Sequence, residues 1–187
     1  MPTIWVLDRL RDEHRAILEF LRALELYADS LSDAKANPEG AKSALEFIDD
    51  FVEKGHHIRE EHLLFRYLAE NNLSMDRDGN FLIHCHDETR DQLEGMRLST
   101  PPTAPEHRTA FVWNAKAYIS LMREHIVTEE TWLYPRIERA LGPEHREALN
   151  AKMAEAENTL PPAGAHAAAV AEHLVACARE FNSTEGS

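Results

Sequence analysis

His56-His57-Ile58-Arg59-Glu60-Glu61-His62-Leu63-Leu64-Phe65 has a counterpart later in the chain, His125-Ile126-Val127-Thr128-Glu129-Glu130-Thr131-Trp132-Leu133-Tyr134. Both carry one pattern: a His, a Glu four residues on, then an apolar pair. Residues four apart share a face of an α-helix, with Cβ atoms roughly 5–6 Å apart. Each copy therefore presents an imidazole and a carboxylate to one point, which is a ligand set for metal.

Outward from these stretches the chain reads as helix almost throughout, with little strand alternation, scarce Gly and turn signals confined to a few places. A first helix is predicted over about residues 3–30, with Leu7, Leu10, His14, Ile17, Leu18, Leu21 and Leu24 on one face. Asn37-Pro38 separates it from a second, about 38–71, because Pro fits a first helical turn but not an interior. That second helix carries Leu45, Ile48, Val52, His56, Leu63 and Tyr67 and ends at Asn71-Asn72. A third, about 79–98, turns Leu82, Ile83, His86 and Leu93 inward. After Ser99-Thr100-Pro101-Pro102, a fourth spans about 104–140 with Phe111, Tyr118, Leu121, His125, Trp132 and Leu133. Four long amphipathic helices on modest loops make an all-α, antiparallel up-down-up-down four-helix bundle, an architecture that commonly houses metals. Additional C-terminal helices follow, one to about 157 and an Ala-rich one over about 164–182 beyond the Pro161-Pro162 break. Residues 1–157 are read as the bundle. Residues 158–187 are read as a helix packing on it or on a partner, with a frayed tail at 183–187.

The apolar stripes choose among the histidines. His56 shares its face with Ile48, Val52, Leu63 and Tyr67, whereas His57 falls with Glu53, Lys54 and Glu61, so His56 points inward and His57 is expected at the surface with His62. His125 lies with Tyr118, Leu121, Met122, Trp132 and Leu133. Leu64 and Leu133 each stand eight residues after their His, which sets the register. His14 and His86 sit on the stripes of the first and third helices. The metal set is thus His14, His56, Glu60, His86, His125 and Glu129. Unpaired, six such groups in one apolar core would each be penalised by several kcal/mol or so, a penalty that bound cations remove. Mixed imidazole and carboxylate ligation suits iron, manganese or zinc. Carboxylates on opposed helices suit bridging two ions and leave open positions for a small ligand. Glu61 and Glu130 are expected at solvent or around this set rather than in it, and Tyr67, Tyr118 and Trp132 in the core.

Composition narrows the partners. With 33 Asp and Glu against 20 Lys and Arg, the net charge of −13 argues against nucleic acid and anionic membrane surfaces. No segment suits membrane spanning or a signal peptide, and two separated cysteines, Cys85 and Cys177, suit a reduced compartment, so a cytoplasmic monomer or homodimer is expected.

Asp12-Glu13-His14-Arg15, the His56 to Phe65 segment, His86-Asp87-Glu88 and the His125 to Pro135 segment, in that order, resemble the hemerythrin-like HHE cation-binding domain, over about residues 5–157. The resemblance implies two iron ions in a non-haem di-iron centre with a bridging oxo or hydroxo group, and Glu60 and Glu129 between the metals. It pairs His14 with His125 and His56 with His86. Oxygen-carrying hemerythrins place two ligand histidines four apart on the third helix, but here Leu82 and Arg90 flank His86 at that spacing. This departure disfavours reversible O2 transport. It favours binding, sensing or reduction of a small oxidant (O2, peroxide or nitric oxide), in stress handling or iron-sulfur repair. A non-enzymatic iron-sensing or iron-buffering module with metal-dependent folding fits the same residues.

Overall fold

A computed structural model describes residues 5–33, 36–73, 78–156 and 165–179. Among them every regular element is helical. Helix α1 is Trp5–Ser32. Helix α2, residues 40–70, is continuous but changes pitch: Gly40–Phe47 is α-helical, Ile48–His57 and Arg59–Phe65 are π-helical, and Arg66–Glu70 returns to α. Helix α3 is Asp78–Leu98. Helix α4, residues 105–140, has its own π turn at Glu129–Leu133 between Pro105–Thr128 and Tyr134–Ala140. Helices α5, Pro143–Ala156, and α6, Ala165–Arg179, follow. The Pro161-Pro162 break and the tail at 183–187 lie outside the described residues.

Local chemistry explains the boundaries. Pro105 opens α4 behind an extended Ala104, where its fixed φ suits a first turn. Asn72 ends α2 in the left-handed region at φ 55°, a conformation Asn tolerates. The Leu73 amide then donates to Leu68 O at 2.8 Å and the Asn72 amide to Ala69 O at 3.2 Å, which satisfies the last carbonyls. Pro135 has no N–H to give and would crowd the carbonyl four residues back; the widened turn at Glu129–Leu133 just before it accommodates both defects.

Two apolar clusters flank a polar middle. The first gathers residues 17–31 of α1, 41–52 of α2, Leu93 and Met96 of α3, 111–126 of α4 and Ala167, Val170, Ala171, Leu174 and Cys177 of α6. The second gathers Val6, Leu7 and Leu10 of α1, residues 64–68 of α2, Leu82 of α3, residues 133–137 of α4, and Leu149 and Met153 of α5. Late α1, early α2, late α3 and early α4 therefore meet in one cluster, and their opposite ends in the other. Helix α6 packs along α1 and α2. Gly40 stands at that crossing: a Cβ there would lie 2.6 Å from Tyr27 Cε2 and 3.1 Å from Cys177 Cβ. Although Ala is the better helix former by about 1 kcal/mol, Gly40→Ala should destabilise the fold by about 1–3 kcal/mol in urea unfolding, because the Tyr27 ring is fully buried and its hydroxyl is held by Asn37 O.

Two inward expectations are corrected. The buried stripe of α3 is Leu82, His86, Thr89, Leu93 and Met96, and Ile83, one step off it, is 37 % exposed. Trp132 is likewise 37 % exposed, turned outward within the π turn with Arg136 over its ring at 4.5 Å. Tyr67 and Tyr118 are buried as expected.

Candidate metal centre

The polar middle contains His14 of α1, His56 and Glu60 of α2, His86 of α3, and His125 and Glu129 of α4, none more than 2 % exposed. Their donor atoms fall into two groups, each with all members within 4.8 Å of one another: His14, His56, Glu60 and Glu129, and Glu60, His86, His125 and Glu129. Both carboxylates belong to both groups. Glu129 Oε2 is 3.1 Å from His14 Nε2 and 3.3 Å from His125 Nε2. Glu60 Oε2 is 3.6 Å from His56 Nε2 and 3.4 Å from His86 Nε2. The two groups differ from the pairing implied by the resemblance. His14 goes with His56, their rings 4.8 Å apart, and His86 goes with His125, their Nε2 atoms 3.1 Å apart.

Outer carboxylates orient three of these rings through Nδ1, which leaves Nε2 facing the centre. His14 Nδ1 is 2.8 Å from Glu130 Oε1, His86 Nδ1 is 2.7 Å from Glu61 Oε1, and His56 Nδ1 is 3.1 Å from Glu13 Oε2. An arginine holds each carboxylate in turn. Arg11 donates to Glu130 at 3.3 Å and Arg90 to Glu61 at 2.7 Å, and Arg59 Nη1 lies 3.0 Å from Glu13 Oε1. Glu61 and Glu130 thus stand around the donor set, half-buried, as partners of its histidines. Glu13 and the three arginines were not legible as functional, although Glu61 and Glu130 occupy the same place in the two copies of the motif. Tyr134 was also missed. Its hydroxyl donates to Glu60 Oε1 at 2.7 Å, and its ring stacks on His14 at 5.5 Å.

His57 is the clearest correction. Expected at the surface with His62, it is fully buried, while His62 is exposed. An α-helical step would turn it away from His56, but α2 is π-helical there. Bonding from i to i+5 puts more residues in each turn and so rotates each through a smaller angle. Neighbours 56 and 57 then share the inward face.

The electrostatics are those of a charged cluster excluded from water. Burial alone would strip protons from the imidazoles, but Glu129 and Glu130 outweigh it at His14 and lift its pKa to about 9. Against the same burial, Glu129 raises His125 well above the ordinary range, and Glu60 and Glu61 raise His86. Burial would also raise Glu60, yet the surrounding histidines, His56 first, hold it well below the usual carboxylate range. Protonated imidazoles here supply a counter-charge that a cation could supply instead. Several buried lone pairs still have no hydrogen bond: His56 Nε2, Glu60 Oε2 and both oxygens of Glu129. Buried polar atoms are nearly always paired, so orphans converging on shared points fit a cation. The nitrogen and oxygen donors suit iron, manganese or zinc.

The hemerythrin HHE cation-binding domain model matches residues 6–137. The chain belongs to that family. The match runs from α1 into the end of α4, so α5, expected within the resemblance, lies beyond it together with α6. No curated protein and no solved structure matches this HHE chain. No described helix is long and apolar enough to cross a membrane.

Proposed function

We propose that this HHE protein holds two iron ions in an antiparallel up-down-up-down four-helix bundle and binds, senses or reduces a small oxidant such as O2, peroxide or nitric oxide. The observation that carries this reading is the pair of four-donor groups sharing Glu60 and Glu129. The alternation of helix ends between the two apolar clusters supports the bundle topology. His14 and His56 would hold one ion, His86 and His125 the other, with both carboxylates between them. Iron bound there would supply one-electron redox changes and coordination positions that four protein donors leave open.

The protein's own part is positioning. Tyr134 fixes one oxygen of Glu60, which orients the carboxylate between the two groups. The Arg11–Glu130 and Arg90–Glu61 pairs fix the ring planes of His14 and His86. Arg90, at the place where a further helix-three ligand could have stood, serves instead to hold Glu61 and Glu53. Glu130→Gln should therefore weaken cation binding roughly 10–100-fold on the His14 side, and Glu61→Gln by a similar factor on the His86 side, in calorimetric titrations.

A second reading, an iron-sensing or buffering module, draws support from the number of charged groups buried at the centre, which ties the stability of the fold to its cation. Anaerobic iron loading followed by metal analysis should give two ions per chain. Spectra after separate exposure to O2, peroxide and nitric oxide should then identify the reacting ligand. Steady peroxide consumption selects the redox function, and an inert centre with a large metal-dependent melting shift selects the sensor. A yield well under one metal per chain would end both readings.

A further inference from the structure

We infer that His57 is a fifth imidazole donor of this centre, forming a three-histidine set with His86 and His125. The inference rests on the two-metal reading. Those three residues, all buried, make a third group whose donor atoms lie within 4.8 Å of one another. The His57 ring lies nearly parallel over His86, centroids 3.8 Å apart at 18°, so joint ligation requires one of the two rings to turn about its Cβ–Cγ bond, and it meets His125 edge to face at 6.1 Å. Neither ring nitrogen of His57 makes a hydrogen bond of good geometry. A packing histidine would be expected to satisfy at least one of them, because an unsatisfied buried donor or acceptor is destabilising.

The surroundings of His57 repeat those of the other donors. Its Nδ1 lies 3.1 Å from Glu53 Oε1, and Arg90 donates to Glu53 Oε2 at 2.8 Å. His57, Glu53 and Arg90 thus form the same sequence of imidazole, carboxylate and guanidinium found at His14, His56 and His86. Arg90 serves both His57 and His86, through Glu53 and Glu61. With three imidazoles on one ion and two on the other, the open positions concentrate on the His14 and His56 side. That is the side on which the Tyr134 hydroxyl lies 3.4 Å from His14 Nε2.

The test is X-ray absorption and metal titration on the full chain loaded anaerobically with ferrous iron. Wild type should show five imidazoles per iron pair. His57→Phe, which keeps a planar ring in the same space, should show four and should hold one of its two ions on the order of 100-fold more weakly, the other being unchanged. Four imidazoles in wild type, or two ions bound by His57→Phe with wild-type affinities, would overturn the inference while leaving the two-metal reading intact. Wild type without two ions would overturn both. The imidazole count in wild type decides the matter even if the variant does not fold.

Discussion

Glu60→Ala should leave the protein unable to hold either ion, where loss of a single outer partner costs only part of the affinity on one side. Glu60 Oε2 is within 3.8 Å of the Nε2 atoms of His56, His86 and His125, so its removal withdraws an oxygen from both groups at once. The loss should exceed the roughly 10–100-fold of an outer-partner change. It should appear in metal analysis as stoichiometry falling from two to below one per chain. Glu129→Ala should do the same, since its Oε2 faces both His14 and His125. His62→Ala, exposed on the far side of α2, should keep both ions. Loss of one ion with full retention of the other in Glu60→Ala would show that this carboxylate does not bridge.

Chelation should lower the melting temperature of the iron-loaded protein by about 10–20 °C. A site whose free ligand stands at about 100 times its dissociation constant stabilises the fold by about 2.7 kcal/mol, so two such sites contribute about 5 kcal/mol. In a chain of this length each kcal/mol moves the midpoint by about 2–4 °C. Part of that stabilisation reflects what the cation neutralises: Glu60 and Glu129 are fully buried, with oxygens that lack hydrogen bonds. Glu60→Ala measured with and without chelator is the control, and its midpoint should not move. A wild-type midpoint equally insensitive to chelator would separate the centre from the stability of the fold and count against the sensing function.

Most of the helical plan was legible because it rests on local rules. Pro105 and Asn71-Asn72 mark helix ends wherever they occur, and the three-and-four spacing of apolar residues located the inward faces of α1, α3 and most of α4. The six residues of the centre could be found because each lies on such a face. What could not be read was pitch and cross-helix register. His57, Ile83 and Trp132 were placed by assuming 3.6 residues per turn or a broad stripe, and the π turns at Ile48–His57 and Glu129–Leu133 break the first assumption. Glu13 with Arg59, Glu130 with Arg11, and Tyr134 with Glu60 are contacts between helices, and nothing along one helix announces its neighbour's register.

The π turns also make the length of α2 a matter of phase. Each wide turn holds surplus chain within an unbroken rod, so the helix works like a cam, the residues before and after the centre being set at angles that a uniform α-helix would not give. Removing one residue between Val52 and Ile58 at unchanged pitch would turn everything beyond it by one step of the wider helix, a smaller angle than the roughly 100° of an α-helical step. Leu64 and Leu68 would then swing off the second cluster as Glu60 left the metal centre. Apolar packing at one end and metal chemistry in the middle are timed by the same few peptide units.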